Sequence, residues 1–354
     1  MKNSFVFLLF FFTFPLFSQD KLVLISPHRK SIQNEFVPLF KKYYKKKFGK
    51  TVNVDWVDQG GTENNLRFVI NRFKKNKKTS DLDIFWGGGE VTFYDLEQRK
   101  LLQRYDLSKS LDKSLPSKIS SFSLRSKSNQ WYATALSSFG IFYNKRILSL
   151  LKMNEPKTWL DLHKEEYFDY ISIADPRQSS SSLMMSLIMI YSLGWEDGWK
   201  LLNSLAGNAR KFTHSSSDPI KAVLSGDAAI ATAIDFYATP KVNSIGVKNL
   251  GFTLPENATI FNSDPIAILK GAPHKLVAQR FIDFILSSKA QKIFIYPKGT
   301  SEGPKKSELG RIAIRPDVYQ GKNKSNFGGV NPFLLKKMDF KLNLEKIVQE
   351  KKII

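Results

Sequence analysis

The 354-residue sequence predicts an α/β protein with two lobes and a ligand cleft between them. Strand and helix patterns alternate from residue 22 to residue 102, and the same alternation returns in the middle of the chain. A hydrophobic content of 42% in a chain of this length is ample for two packed cores, and no internal repeat has a fixed period. Each lobe is therefore expected to be a mixed, mostly parallel sheet flanked by helices.

The N-terminal elements show this alternation most clearly. Leu22–Ser26 is a short apolar strand that ends at Pro27. The apolar residues of Ser31–Phe48 fall on one face and the lysines on the other, which predicts an amphipathic helix that Gly49 ends. The elements that follow are predicted as a strand at Thr51–Val57, a helix through Leu66–Phe73, a strand at Asp83–Trp86 and a helix from Glu90 to Leu102.

Strand and helix patterns continue to alternate in the rest of the chain. The segment Lys275–Ile295 is predicted as one long helix because apolar residues mark a single inner side. Predicted strands are Trp131–Leu136, Gly140–Tyr143, Tyr170–Ala174, Ala228–Ile234 and Ile266–Leu269, and predicted helices are Ser182–Ser192 and Trp195–Ala206.

The first nineteen residues predict export. A short basic start is followed by the apolar run Phe5–Phe17 and then by Ser18–Gln19, the three-part pattern of a secretory signal peptide. A retained membrane anchor or a buried strand is the alternative. The sequence has no cysteine, so it has no disulfide, no thiolate nucleophile and no lipid-acceptor cysteine. We therefore predict a mature protein that is periplasmic and not lipid-anchored.

The chain is strongly basic, with 54 Lys and Arg against 32 Asp and Glu and a net charge of +22. Such a charge is typical of proteins that bind nucleic acids, anionic membranes or anionic solutes. The lysines, however, are spread over solvated helix faces, and no basic segment is interleaved with aromatic residues. A nucleic-acid partner is not expected.

Candidate ligand-binding residues follow the strands, because ligands of open α/β sheets bind beyond the carboxyl ends of the strands. The first group is Ser26-Pro27-His28-Arg29, in which a hydroxyl, an imidazole and a guanidinium are suited to an oxyanion, or His28 to a metal. An ordinary loop histidine is the alternative. The second group is Gly87–Glu90, where glycine at Gly88 allows close approach and Glu90 opens a helix.

Two further groups lie in the second half of the chain. The segment Asp175–Ser182 joins a strand to a helix, and Ser179, Ser180 and Ser181 offer hydroxyls and backbone donors for an anion, with plain helix capping as the alternative. Asp235 and Tyr237 follow another strand, with Thr213 on a neighbouring turn.

Two other functional classes are weighed against binding. A secreted serine hydrolase would use a serine of residues 179–182, His214 or His28, and Asp235. The Gly-x-Ser-x-Gly elbow and zinc-binding His-x-x-x-His spacing are absent, so an enzyme is not predicted. An adhesion protein or scaffold would show repeats or a coiled coil, and neither occurs.

The ordered motifs of the chain resemble the bacterial extracellular solute-binding proteins of ABC importers, the type with ferric-ion-binding and phosphosugar- or phosphonate-binding members. The resemblance covers nearly all of the mature chain. It rests on Asp83–Glu90 with Asp95-Leu96, Trp131–Leu136 with Tyr143-Asn144, Ala174–Arg177, Gly194–Trp199, Ala206–Arg210, Ala233–Tyr237, Asp264–Pro273 and Arg315–Asp317.

This resemblance implies a type II periplasmic binding fold whose lobes close on a solute. It places the signal peptide at residues 1–19, lobe 1 at residues 20–135 plus 262–310, lobe 2 at residues 136–261, and a C-terminal helical segment at residues 311–354. The hinges are expected near Ala135–Ser138 and Phe261–Asp264. Closure is expected to bring His28, Gly88 and Glu90 against Ser179–Ser181, Asp235 and Tyr237.

The resemblance leaves two cargo classes open. Ferric members use a His, a Glu and two adjacent Tyr; here His28 and Tyr237 match, whereas Ala238 occupies the second Tyr position and Gly88 falls near the Glu position. A small anionic organic solute, such as a phosphate or phosphonate ester, suits the serine-rich helix start better. The expected partner is an inner-membrane ABC permease, and the protein is expected to be a monomer without a cofactor.

Overall fold

A computed structural model describes residues 19–119, 122–255, 258–320, 331–334 and 345. The predicted signal peptide therefore lies almost wholly outside the described residues. The strands are β1 Asp20–Ile25, β2 Val52–Val57, β3 Ile84–Trp86, β4 Leu102–Gln103, β5 Lys118–Ile119, β6 Phe122–Ser123, β7 Tyr132–Asn144, β8 Ile171–Ala174, β9 Ala209–Thr213, β10 Ile230–Ile234, β11 Leu250–Thr253, β12 Phe261–Leu269 and β13 Ile312–Ala313.

Helices surround these strands. They are α1 Lys30–Phe48, α2 Thr62–Lys75, α3 Glu90–Gln98, α4 Lys109–Lys113, α5 Lys145–Leu150, α6 Ser180–Leu193, α7 Trp195–Asn208, α8 Asp218–Ser225, α9 Asp235–Ile245, α10 Lys275–Ile285 and α11 Ser288–Ile295, with 3-10 turns at Trp159–His163, Glu165–Tyr167 and Pro316–Tyr319. None of the helices described is long and apolar enough to cross a bilayer.

The first lobe is built on a sheet of order β2-β1-β3-β12-β7. Strands β2, β1 and β3 are parallel, whereas β12 is antiparallel to β3 and β7. Helix α1 packs its apolar face on this sheet, and Gly49 ends it with φ +70°, as the sequence predicts. The buried side chains of α1 are Ile32, Glu35, Phe36, Phe40 and Tyr44.

The second lobe contains β10, β8 and β9 beside the far half of β7, with β11 also paired to β7. Strands β8, β9 and β10 are parallel to one another, and β10 is antiparallel to β7. Helices α6 and α7 pack against each other beside this sheet. The α/β class with mixed sheets is thus confirmed.

A single strand, β7, runs through both lobes. Residues 132–138 pair with β12, and residues 139–143 pair with β10. The prediction of two separate strands was wrong, because Ser137 and Ser138 look like a polar break in the sequence but are buried in the strand. The segments expected to be hinges pair with each other, Ser138 opposite Phe261 and Ala135 opposite Asp264.

Two other predicted features differ in the structure. The prediction of a single helix at Lys275–Ile295 was wrong, because the segment is divided into α10 and α11. The Ser287 hydroxyl accepts from the Ala290 amide and so caps the second helix. The apolar spacing continues through the break, so periodicity alone does not reveal it. The described start of the predicted C-terminal helical segment forms β13, paired with β7, and a 3-10 turn.

Packing between α6 and α7 leads to a first prediction. A Cβ on Gly198 would lie 2.4 Å from the Ile190 backbone Cα, whereas a Cβ on Gly207 of the same helix meets nothing within 4 Å. Gly198→Ala is expected to lower the free energy of unfolding by about 1–3 kcal/mol, because backbone cannot move aside as a side chain does. The matched control Gly207→Ala should leave it unchanged or raise it by up to about 1 kcal/mol. Equal denaturation midpoints for the two variants would contradict the packing.

Candidate functional site

A cavity of about 420 Å³ lies between the two lobes. The first lobe contributes the segments that follow β1, β2 and β3, and the second lobe contributes the starts of α6 and α9. The lobes also touch across it, since the Ser180 hydroxyl donates to the Thr62 hydroxyl at 3.4 Å. A volume of this size is typical of sites for small organic molecules, which run from roughly 300 to 1,000 Å³.

Several helices begin at this cavity. Gly61 precedes α2, Gly89 precedes α3, and Ser179 caps α6 by accepting from the Ser182 amide. All three residues line the cavity, together with Tyr237 in the first turn of α9. The dipoles of these helices therefore favour negative charge in the space that they share.

The glycine run after β3 is required by neighbouring side chains. Gly87 and Gly88 have φ values of +91° and +97°. A Cβ on Gly87 would lie 2.7 Å from the His28 ring, and one on Gly88 would lie 2.5 Å from the Thr62 methyl group. Glycine at these positions therefore lets β1 and α2 bring His28 and Thr62 up to the cavity.

Asp264 organises the wall on the first lobe. Its Oδ2 accepts from His28 Nε2 at 2.7 Å and from Arg311 Nη1, and its Oδ1 accepts from the Gly88 amide at 3.1 Å. Burial opposes ionisation of this carboxyl, but the Arg311 guanidinium, His28 and the Gly88 amide together outweigh burial and hold the pKa of Asp264 well below its usual range. Burial lowers the pKa of His28, so the imidazole is neutral near pH 7. The ion pair here is Asp264 with Arg311.

Two guanidinium groups face the cavity. Arg29 donates to the carbonyls of Leu309 at 3.1 Å and of Phe236 at 3.4 Å, and its guanidinium lies 5.2 Å from the Tyr237 ring centre. Arg311 is 4% exposed. Among the described residues, the Nε atoms of Arg29 and Arg311 are buried and have no hydrogen-bond partner, and no carboxylate pairs with Arg29. Burial and the charge of Arg311 lower the pKa of Arg29, so an anion here would relieve both effects.

The structure brings together part of the predicted set of ligand-binding residues. Residues that line the cavity are His28, Gly88, Ser179, Ser180, Ser181 and Tyr237. Ser26 and Thr213 belong to the predicted set but do not line the cavity. The Ser26 hydroxyl lies 3.0 Å from His28 Nδ1, and the Thr213 hydroxyl donates to the Ile173 and Ser215 carbonyls. They support the lining residues rather than face the cavity.

Asp235 and Glu90 are also absent from the cavity lining. Asp235 accepts from the amide and hydroxyl of Ser138, both at 2.8 Å, and from the Phe236 amide. Burial raises the pKa of Asp235 to about 7 and that of Glu90 to about 7. Asp235 thus holds the crossing strand β7 to the start of α9.

Arg311 and Asp264 are an ion pair at the cavity that the candidate groups omit. Arg29 belongs to the first strand-end group, but Arg311 follows a loop near the end of the described chain, and Asp264 is predicted as part of a hinge and of a family motif, not as a ligand-binding residue. No local pattern marks either residue as part of a site. The adjacent short strand β13 places Arg311 beside Asp264 by pairing with β7.

The triad considered from the sequence, a serine of residues 179–182 with His214 or His28 and Asp235, does not assemble among the described residues. A Ser26–His28–Asp264 chain does form, but the Ser26 hydroxyl is fully buried and does not line the cavity. His28 bonds Ser26 and Asp264, His214 Nδ1 lies 2.8 Å from Gln178 Oε1, and Asp235 bonds Ser138. The described part of the chain also contains no group of three or more His, Asp or Glu side chains placed to hold a metal ion.

A two-lobed α/β fold with a cavity between the lobes is the architecture that solute-binding proteins use for closure on a ligand. The chain belongs to the family of bacterial extracellular solute-binding proteins, whose family model matches residues 82–301. The phosphoglycerate transport regulatory protein PgtC of Salmonella typhimurium is 27% identical over 195 residues, which are 52% of this chain and 48% of that protein. The chain thus matches about half the length of this curated relative.

Solved structures agree on the fold. The periplasmic binding protein AfuA from Actinobacillus pleuropneumoniae, with fructose-6-phosphate bound, has a TM-score of 0.71 at 19% identity and covers 95% of this chain and 96% of its own. The apo ferric ion-binding protein A from Pasteurella haemolytica has a TM-score of 0.69 at 18% identity, and the match covers 94% of this chain and 95% of that protein. The predicted type II periplasmic binding fold is therefore confirmed.

Proposed function

We propose that this protein captures a small anionic organic solute, bearing a phosphate or phosphonate group, by closure of its two lobes. The mature protein works in the periplasm as an untethered monomer and delivers its cargo to an ABC permease. Its role is binding, without catalysis.

One observation carries the proposal: a partly buried guanidinium from Arg29 and a buried one from Arg311 line the same cavity, and only Arg311 is paired to a carboxylate among the described residues. Like charges in a space shielded from water repel each other, and an anion between them removes the repulsion. Phosphate and phosphonate oxygens match the planar donor fork of arginine and the helix N-termini beside it.

The relatives support phosphate-bearing cargo as a class. PgtC is named for phosphoglycerate transport, and AfuA was solved with fructose-6-phosphate. Other relatives are named for iron, so family membership alone does not select the cargo.

Local chemistry weighs against ferric ion as the cargo. Ferric iron needs several anionic oxygen donors. His28 Nε2 is bonded to Asp264, and the Tyr237 ring lies beside the Arg29 guanidinium, whose charge opposes a metal cation. Tyr237 is followed by Ala238, so a second adjacent phenolate is missing from the sequence.

Closure would use the paired segments of β7 and β12, because these strands connect the lobes. Side chains from both lobes line the cavity, so only the closed form offers the full set of donors to a solute. A ligand that binds this form best shifts the population toward it.

The test is a thermal-shift and calorimetric screen of the purified protein against methylphosphonate, 3-phosphoglycerate, fructose-6-phosphate, citrate and ferric chloride. A phosphate or phosphonate at 100 times its Kd is expected to add about 2.7 kcal/mol to the free energy of unfolding and to shrink the radius of gyration. A response to ferric chloride alone, with a visible tyrosinate-to-iron band, would instead establish iron as the cargo.

A further inference from the structure

We propose that the solute carries an apolar body beside its anionic group, and that the second lobe holds this body against an apolar wall. This inference rests on the proposed anion-binding function and narrows its substrate class. The wall consists of the cavity-lining side chains Phe139, Leu183, Met184, Leu187, Ile234 and Phe236.

Helix α6 gives the cavity a polar end and an apolar continuation. Ser180, Leu183, Met184 and Leu187 all line the cavity and follow the spacing of three and four that defines one helix face. Seven residues at about 1.5 Å of rise make this face about 10 Å long. A solute whose anion meets the N-terminus of α6 would therefore extend along Met184 toward Leu187.

The sheet of the second lobe continues the same surface. Ile234 on β10 stands directly opposite Phe139 on β7 in the antiparallel register. Phe236 comes two residues after Ile234, and its ring centre lies 4.1 Å from the Arg311 guanidinium carbon. The cationic group and the apolar wall are thus in contact, so one small molecule would meet both.

A polyhydroxylated body would be a poor match for this wall. Each buried hydroxyl that loses its water without gaining a hydrogen bond costs about 1–3 kcal/mol. Polar lining side chains include Thr62 and Ser180 at two helix starts, Asp264 on β12 and Arg311, whereas the six side chains of the wall are apolar. A hydrocarbon or aromatic body gains from burial there, whereas a sugar does not.

The test is isothermal calorimetry of the purified protein with methyl-, propyl- and pentylphosphonate. Each added methylene is expected to tighten Kd about fourfold, from about 0.8 kcal/mol per buried CH2. A flat series in which methylphosphonate binds would overturn the apolar wall and leave anion binding intact. If no phosphonate binds while another class of ligand does, anion recognition by the arginines fails, and this inference fails with it.

A matched pair of substitutions tests whether the cavity-lining face of α6 contacts the apolar part of the solute. Met184→Gln is expected to weaken pentylphosphonate binding about tenfold and methylphosphonate binding less than twofold, because only the longer chain reaches that side chain. Met185 is buried on the same helix but does not line the cavity, so Met185→Gln should leave the chain-length dependence unchanged. Equal chain-length dependence in wild type and Met184→Gln would remove this face from the site.

Discussion

Replacement of Arg311 by methionine is expected to abolish detectable solute binding and to lower the free energy of unfolding by about 3–5 kcal/mol. The cause of the second effect is Asp264, which is 7% exposed and would lose its cationic partner while remaining buried. The binding loss follows from removal of a guanidinium that faces the cavity. Denaturant unfolding and calorimetry with methylphosphonate measure the two effects separately.

Asp264 provides the controls for this experiment. In Arg311→Met/Asp264→Asn both buried charges are gone, so most of the stability should return while binding stays lost. Asp264→Asn alone should unfold more easily without solute but gain more stability from it, because the solute becomes the counterion of Arg311. Full binding by Arg311→Met would show that this guanidinium does not hold the solute.

Replacement of Arg29 by glutamine is expected to weaken phosphonate binding by about 10- to 150-fold with little change in stability. Charge-assisted hydrogen bonds to an anion are worth about 1.5–3 kcal/mol, and Arg29 makes no ion pair in the described residues whose loss would strand a buried carboxylate. Titration calorimetry at fixed ionic strength reports the affinity.

Two further variants separate the contribution of the Arg29 guanidinium geometry from that of overall charge. Arg29→Lys keeps the charge but loses the planar fork, so its affinity should lie between those of wild type and Arg29→Gln. Arg104 is an exposed arginine paired with Asp106, and Arg104→Gln makes the same change in net charge away from the cavity. Equal loss of affinity in Arg29→Gln and Arg104→Gln would mean that overall charge, and not this site, attracts the solute.

Secondary structure could be predicted wherever the apolar spacing and a cap agreed. Helix α1 and its end at Gly49 follow from amphipathic spacing and from the left-handed conformation that glycine adopts. The prediction failed where burial contradicted residue type. Ser137 and Ser138 look like a turn, yet Asp235 satisfies the Ser138 hydroxyl and amide inside the structure, so β7 continues through both lobes.

The candidate site, too, could be predicted from the sequence only in part. Strand-end rules located His28, the glycines before α3 and the serines at the start of α6, because each lies at a local junction that the sequence displays. They did not separate the residues that face the cavity from those behind it. Thr213 lies within the same strand-end regions but bonds backbone carbonyls instead.

The sequence alone determined the α/β class, the junctions at which a ligand could bind, and the resemblance to exported solute-binding proteins. Only the tertiary structure joined His28 to Asp264, 236 residues apart, and Asp264 to Arg311, 47 residues apart. Periodicity records which face of an element is buried, whereas the charge of a site depends on the distances between side chains from different elements. Those distances are set by the pairing of β7 with β12 and β13.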